Sequence, residues 1–114
     1  MAFGTRVRFD ELRQLAFGSI GAAYAAVGAA TSDHTRLFTI HNSTDVDLYV
    51  SLDGVTTHLR LFSGEARVLD LTANRVQNDG LFLSSGTIFW VKEVGAAPSS
   101  GSIWIEVMYA DGGV

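Results

Sequence analysis

The sequence predicts an all-β chain: an antiparallel, jelly-roll-like sandwich of about seven to eight strands, with an N-terminal arm and at most one short helix. Three observations carry that expectation. From Arg36 onward, apolar and polar residues alternate with a period close to two, the mark of strands with one buried face. Turn signals interrupt the alternation at roughly 8–12-residue spacing, the rhythm of a sandwich or a barrel. Helical patterning is scarce, and its best candidate is diluted by glycine.

Each element can be justified in order. Residues 1–9 are expected to form an arm that a partner orders. Residues 10–20 read as a strand, because Leu12, Gln14 and Ala16 alternate with Arg13, Leu15 and Phe17. Gly21–Ala30 is either a short helix or an irregular extended segment. Alanine favours helix, but Gly21 and Gly28 each cost about 1 kcal/mol in a helix interior. In RLFTIHN, Phe38 and Ile40 share one face, Thr39 and His41 the other. In DLYVSLDG, Leu48, Val50 and Leu52 oppose Asp47, Tyr49 and Ser51. HLRLF, ARVLDL, GLFL, TIFWVKEV and SIWIEVMYA complete the set of strands. Between them lie Ser43-Thr44-Asp45, Asp53-Gly54, Ser63-Gly64, Asn78-Asp79-Gly80, Ser84-Ser85-Gly86 and Pro98-Ser99-Ser100-Gly101. One domain is expected over residues 10–110, with a flexible tail at 111–114.

Composition narrows the function. A chain of 114 residues is natural for one domain. At that size roughly two-thirds of the unfolded surface is buried, enough for one core without metal or disulfide help. Hydrophobic residues make up 47% and charged residues 18%, which argues against wholesale disorder. A net charge of −4 with scattered basic residues does not suit nucleic acid. Arg6, Arg8 and Arg13 alternate with Phe9, Asp10 and Glu11, and read as a mixed-charge arm rather than a phosphate clamp. With no cysteine, disulfide scaffolds, thiolate zinc sites and Cys nucleophiles are excluded. Leu15–Ala30, LAFGSIGAAYAAVGAA, has some character of a signal peptide, but Asp10 and Glu11 stand where a positive region belongs. It is too dilute for a transmembrane helix and is expected to belong to the fold, with no membrane partner.

Candidate chemistry is concentrated in HNSTDVDLYVSLDG, His41–Gly54. Asp45, Asp47 and Asp53 invite a cation site, yet Asp47 and Asp53 would lie about 20 Å apart along an extended strand. A calcium loop needs a different layout, so turn chemistry is the expectation. Asn42-Ser43-Thr44 matches the glycosylation sequon. His41 and His58 are expected as a cross-strand pair rather than metal ligands. Asp70 is expected half-buried, beside Arg67 or Arg75. No nucleophile elbow and no phosphate loop is present. The chain therefore reads as a non-enzyme without a cofactor.

The aromatic residues carry the remaining signal. Ile88, Trp90 and Lys92 share one face of a strand; Phe89, Val91 and Glu93 share the other. Ile103, Ile105, Val107 and Tyr109 oppose Trp104, Glu106 and Met108. A thin two-layer sandwich buries only one face of each strand. The second apolar set is expected to meet neighbouring subunits. The interface candidates are Arg6, Arg8, Phe9, Tyr24, Tyr49, Trp90, Trp104 and Met108.

Taken together, the motifs resemble a family. Asn-x-Thr-Asp … Ser-x-Asp-Gly is followed by Leu-Asp-Leu … Asn, then Gly-Thr … Trp-Val-Lys … Pro-x-x-Gly … Tyr-Ala. From Glu11 to Ala110, this order is similar to that of small β-sandwich structural proteins of tailed bacteriophages. The resemblance implies a virion component in many symmetric copies, with no catalytic residues to carry over. Its expected partners are copies of itself in a ring or lattice, and other virion proteins: portal or adaptor, fibres, or major capsid protein. Neck or tail ring and capsid decoration both remain open, as does a carbohydrate- or receptor-binding module built on Trp90 or Trp104.

Overall fold

The structure, a computed structural model, describes residues 7–71 and 83–110. Arg6, Arg75, the Asn78-Asp79-Gly80 turn, most of GLFL and the 111–114 tail lie outside the described residues. Nine strands are present among them: β1 (Val7–Phe9), β2 (Arg13–Ala16), β3 (Ala25–Ala26), β4 (Thr35–Asn42), β5 (Leu48–Ser51), β6 (Leu59–Leu61), β7 (Ala66–Asp70), β8 (Trp90–Glu93) and β9 (Ser102–Ala110). The helical content among the described residues is one 3-10 turn, Phe17–Ser19.

The strands form two antiparallel sheets. In sheet A the order is β2-β9-β4-β7, and β1 continues the β2 edge along the far end of β9. In sheet B it is β3-β8-β5-β6. From β2 to β9, every connection crosses between sheets except the β5–β6 hairpin. That is the strand order of a jelly roll. The expected sandwich is therefore present, with nine strands where about seven to eight were expected. β1 and β3 were not among those expected; Val7–Phe9, inside the expected arm, pairs with Met108–Ala110 of its own chain.

Gly21–Ala30 is not a helix but the irregular extended segment, with two strand residues in it, and it does not stand free. Its backbone bonds to sheet B instead: Val27 N–H donates to Phe89 O at 2.7 Å, and Glu93 N–H donates to Gly21 O at 2.9 Å. Val27 is fully buried. Burying such a side chain is worth roughly 1.5–3 kcal/mol, more than the weak helix preference of the alanines, and β3 results.

The core lies between the sheets. Phe38, Ile40, Ile103, Ile105 and Val107 face it from sheet A; Leu48, Val50, Leu61, Phe89 and Val91 face it from sheet B. Phe38 and Phe89 meet across the gap in a tilted pair with centroids 5.0 Å apart. The faces assigned from period-two alternation match this burial in β4, β8 and β9 and in β5 as far as Val50; Ser51, assigned to the outward face with Tyr49, is fully buried.

Arg13 departs from its expectation. It is not part of a charged arm but only 2% exposed, on the core side of β2 opposite Ile105. Its guanidinium donates to Glu11 O at 2.5 Å, Ala29 O at 3.0 Å and Ala30 O at 3.3 Å. Asp10 stands 3.5 Å away and accepts from Ser32 N–H and Oγ–H. Arg13 thus fastens the β3–β4 loop to the N-terminal edge. Partial burial works to raise the Asp10 pKa, but the Glu11 and Ser32 amides and Arg13 outweigh it and hold the pKa below its ordinary value.

Candidate functional site

The His41–Gly54 stretch is architecture. Asn42 ends β4 fully buried, so the sequon cannot present its amide to a glycan. Asn42 Nδ2 donates to Val46 O at 2.9 Å and Leu61 O at 3.2 Å, and Oδ1 accepts from Thr44 N–H at 3.0 Å. The aspartates serve three separate corners. Asp45 accepts from Ser99 Oγ–H and N–H, tying the β4–β5 turn to the β8–β9 loop. Asp47 accepts from Ser63 N–H and from Arg60. Asp53 accepts from the amides of Val55 and Thr56 at 2.8 and 2.7 Å and from Ser51 Oγ–H. These donors favour the ionised form: the Asp45 pKa is lowered chiefly by Ser99, Asp47 by the Ser63 amide, and Asp53 strongly by the Val55 amide. Among the described residues, no group of three or more His, Asp or Glu is placed to hold a metal ion.

The histidines do not pair. His41 lies in sheet A beside Trp104, whereas His58 precedes β6 in sheet B and accepts from Leu52 N–H. They were expected to face each other because both precede or occupy strands, but the jelly roll sends those strands to opposite layers. Asp70 is exposed rather than half-buried, because it shares the outward face of β7 with Val68.

Two outward faces collect the interface candidates. On sheet A, cross-strand register places Phe9, Met108, Leu37 and Asp70 in one row. Glu106, Thr39 and Val68 form the next, and Gln14, Trp104, His41 and Ala66 the third. Phe9 is 71% exposed, Val68 62% and Leu12 55%. Trp104, Met108 and Leu37 are half-buried. Leu12, Thr39, His41, Trp104 and Glu106 line a recess of about 290 Å³. Glu106 accepts from Thr39 Oγ1–H at 2.8 Å. Arg8, exposed, stands opposite Tyr109 at the end of this sheet.

Sheet B presents a different face. Lys92, Tyr49 and Arg60 stand side by side across β8, β5 and β6. Lys92 Nζ lies 4.7 Å from the Tyr24 ring centroid and 5.9 Å from that of Tyr49. Arg60 Cζ lies 6.0 Å from Tyr49 and 5.4 Å from Phe62. Rings and cations therefore alternate from Tyr24 to Phe62, each exposed contact worth roughly 0.5–1 kcal/mol. Arg60 also pairs with Asp47 at 2.9 Å. Trp90 belongs to this face but is half-buried under its own chain, because Gly54 of the β5–β6 loop lies against its ring. Tyr24 is held to the same loop by a hydrogen bond between its hydroxyl and that of Thr57.

Of the sequence candidates, Phe9, Trp104 and Met108 come together on sheet A, and Tyr24, Tyr49 and Trp90 on sheet B. Leu12, Leu37, Val68, Glu106, Arg60, Phe62 and Lys92 were not among them. Parity along a strand signals which way each points, but only cross-strand register makes them neighbours. Comparison with protein-family models, with curated proteins and with solved structures finds no match to this chain.

Proposed function

We propose that the chain is a non-enzymatic structural component of a tailed-phage virion, assembled from copies of itself into a neck or tail ring adaptor. Fibres or other tail parts would build on that ring. The observation that carries this reading is the outer face of sheet A. Phe9, Leu37 and Met108 share one row outside the buried core, Val68 stands in the next, and Trp104 in the third with Leu12 beside it at the recess. Large apolar side chains gathered on one outward face mark an interaction surface. The jelly roll is an architecture of viral capsid proteins and of lectins, and does not choose between them. The motif order described above favours the virion. A capsid cement protein would use the same patch against the shell. The sugar-binding reading is supported by the Trp104 recess, where an indole ring meets His41, Thr39 and Glu106; Trp90, already covered by Gly54, adds nothing to it.

The test is the assembly state of the purified full-length chain, by mass photometry and analytical ultracentrifugation. A discrete oligomer is expected, and Trp104→Glu should return it to folded monomer. A chain that stays monomeric at every concentration and binds oligosaccharides through Trp104 overturns the proposal. Cryo-electron microscopy of particles carrying the chain then separates a ring around the tail axis from icosahedral copies on the head.

A further inference from the structure

We infer that the subunits stack through unlike faces: the outer face of sheet A of one copy packs on the outer face of sheet B of the next, with Glu106 opposite Lys92. This rests on the self-assembling reading above and specifies its interface. The argument is complementarity. Among the described residues, the paired outward rows of sheet A mix apolar side chains with Gln14, Thr39, His41 and two carboxylates, Glu106 and Asp70, and hold no lysine or arginine. Those of sheet B are aromatic with two cations, Lys92 and Arg60. Asp47 answers Arg60 within the chain, whereas Lys92 has no ion pair among the described residues. Glu106 likewise has a hydroxyl partner, Thr39, but no cation among them. Glu106 thus lacks a cation among the described residues where Lys92 supplies one, and each stands among apolar or aromatic side chains.

Like-face contacts are disfavoured by the same charges. Two A faces would bring Glu106 carboxylates together, and two B faces would bring Lys92 ammonium groups together, which suppresses like-face pairing. The A-to-B contact is heterologous. Such contacts close into rings when the rotation allows and otherwise run into filaments.

The chain has no cysteine, so introduced thiols report contacts without background. The full-length double variant Glu106→Cys/Lys92→Cys should give a ladder of disulfide-linked multimers on mild oxidation. Glu106→Cys and Lys92→Cys alone should remain uncrosslinked, and an equal mixture of the two should give dimers only. As a second measurement, Glu106→Lys and Lys92→Glu should each weaken assembly roughly tenfold or more, and the charge-swapped double variant should recover most of it. Thermal melts verify that each variant is folded. Crosslinking by a single-cysteine variant overturns the unlike-face arrangement. So does assembly indifferent to both charge reversals, while Trp104→Glu still dissociates it; the self-assembling reading then survives. A wild-type monomer overturns both.

Discussion

Replacing Asn42 with alanine tests the reading of the His41–Gly54 corner. The side chain has zero exposure and makes three hydrogen bonds to backbone groups, to Val46 O, Leu61 O and Thr44 N–H. The Thr44 hydroxyl is a fourth neighbour, 2.6 Å from Oδ1. A typical buried hydrogen bond contributes about 1 kcal/mol net, and an abandoned buried partner costs about 1–3 kcal/mol. Val46 O keeps the Thr44 hydroxyl 2.9 Å away, so its loss is partly offset. The sum is about 3–4 kcal/mol, from a domain total of about 5–15 kcal/mol. For a chain of this size the melting temperature should fall by roughly 12–16 °C. Urea unfolding followed by tryptophan fluorescence measures the free energy, and circular dichroism the melting point. Asn42→Asp sharpens the test. It keeps Oδ1 but turns an oxygen toward the Val46 and Leu61 carbonyls. Burial raises the pKa of the new carboxyl. Its penalty should therefore grow above the ordinary aspartate pKa, about 3.9, and be complete above the raised folded value. An Asn42→Ala penalty under about 1 kcal/mol, or an Asn42→Asp variant as stable as wild type at neutral pH, would refute the account.

Three further outcomes are expected. Gly101→Ala should cost more than Gly64→Ala: both have positive φ, +88° and +77°, but a Cβ on Gly101 would collide with Ser43 O and lie 2.7 Å from Ser43 C, whereas Gly64 has open space. Left-handed strain alone is about 1–2 kcal/mol, so Gly64→Ala should stay near that and Gly101→Ala exceed it in chemical denaturation; equal costs would contradict the Ser43–Gly101 packing. Asp10, Asp45, Asp47, Asp53 and Glu65 all have folded pKa values below their ordinary ones. Their contribution is present above the ordinary carboxylate range and is lost as pH falls through the depressed values, so melts should weaken progressively below about pH 4, and Asp53→Asn should flatten part of that slope. Arg13→Ala, which strands Asp10 and frees the β3–β4 loop, should cost about 3 kcal/mol and raise amide exchange at Val27 and Thr31; unchanged protection there would mean that Arg13 is not the fastening.

Period-two alternation was enough to read the sandwich and the buried face of β4, β8, β9 and most of β5, Ser51 excepted, because one buried face per sheet imposes that pattern. It was silent on β3, a pair of alanines whose strand state comes from the partner strand β8. It misplaced Arg13, since a charge near the N terminus looks solvated until three carbonyls are brought to it from residues 11, 29 and 30. The outward set Trp104, Glu106 and Met108 was legible by parity. That Phe9 sits beside Met108, and Lys92 beside Tyr49, was not. Those pairs depend on register between segments about 100 and about 40 residues apart, which turn chemistry and propensity do not encode. Tyr49, which seemed to await a neighbouring subunit, is already flanked by Lys92 and Arg60 of its own chain.

The same topology bears on the proposed contact between copies. A sandwich offers two kinds of surface, unpaired strand edges and outer sheet faces. Among the described residues the edges are short: two residues in β3, three in β6, three and four in β1 and β2, five in β7. Strand addition to such an edge would gain few main-chain hydrogen bonds, and β7, the longest, carries Arg67 and Asp70, charges that discourage edge pairing. The faces are better suited. β9 spans nine residues at about 3.4 Å each, so sheet A presents a face about 30 Å long in the strand direction. On the opposite side of the sandwich, the cation-and-ring row of sheet B runs across β8, β5 and β6, and its loop folds over Trp90. Since the two faces point away from each other, the proposed contact through them would leave every subunit with one surface of each kind engaged. Short edges and unlike faces together favour propagation by face stacking over pairing at edges.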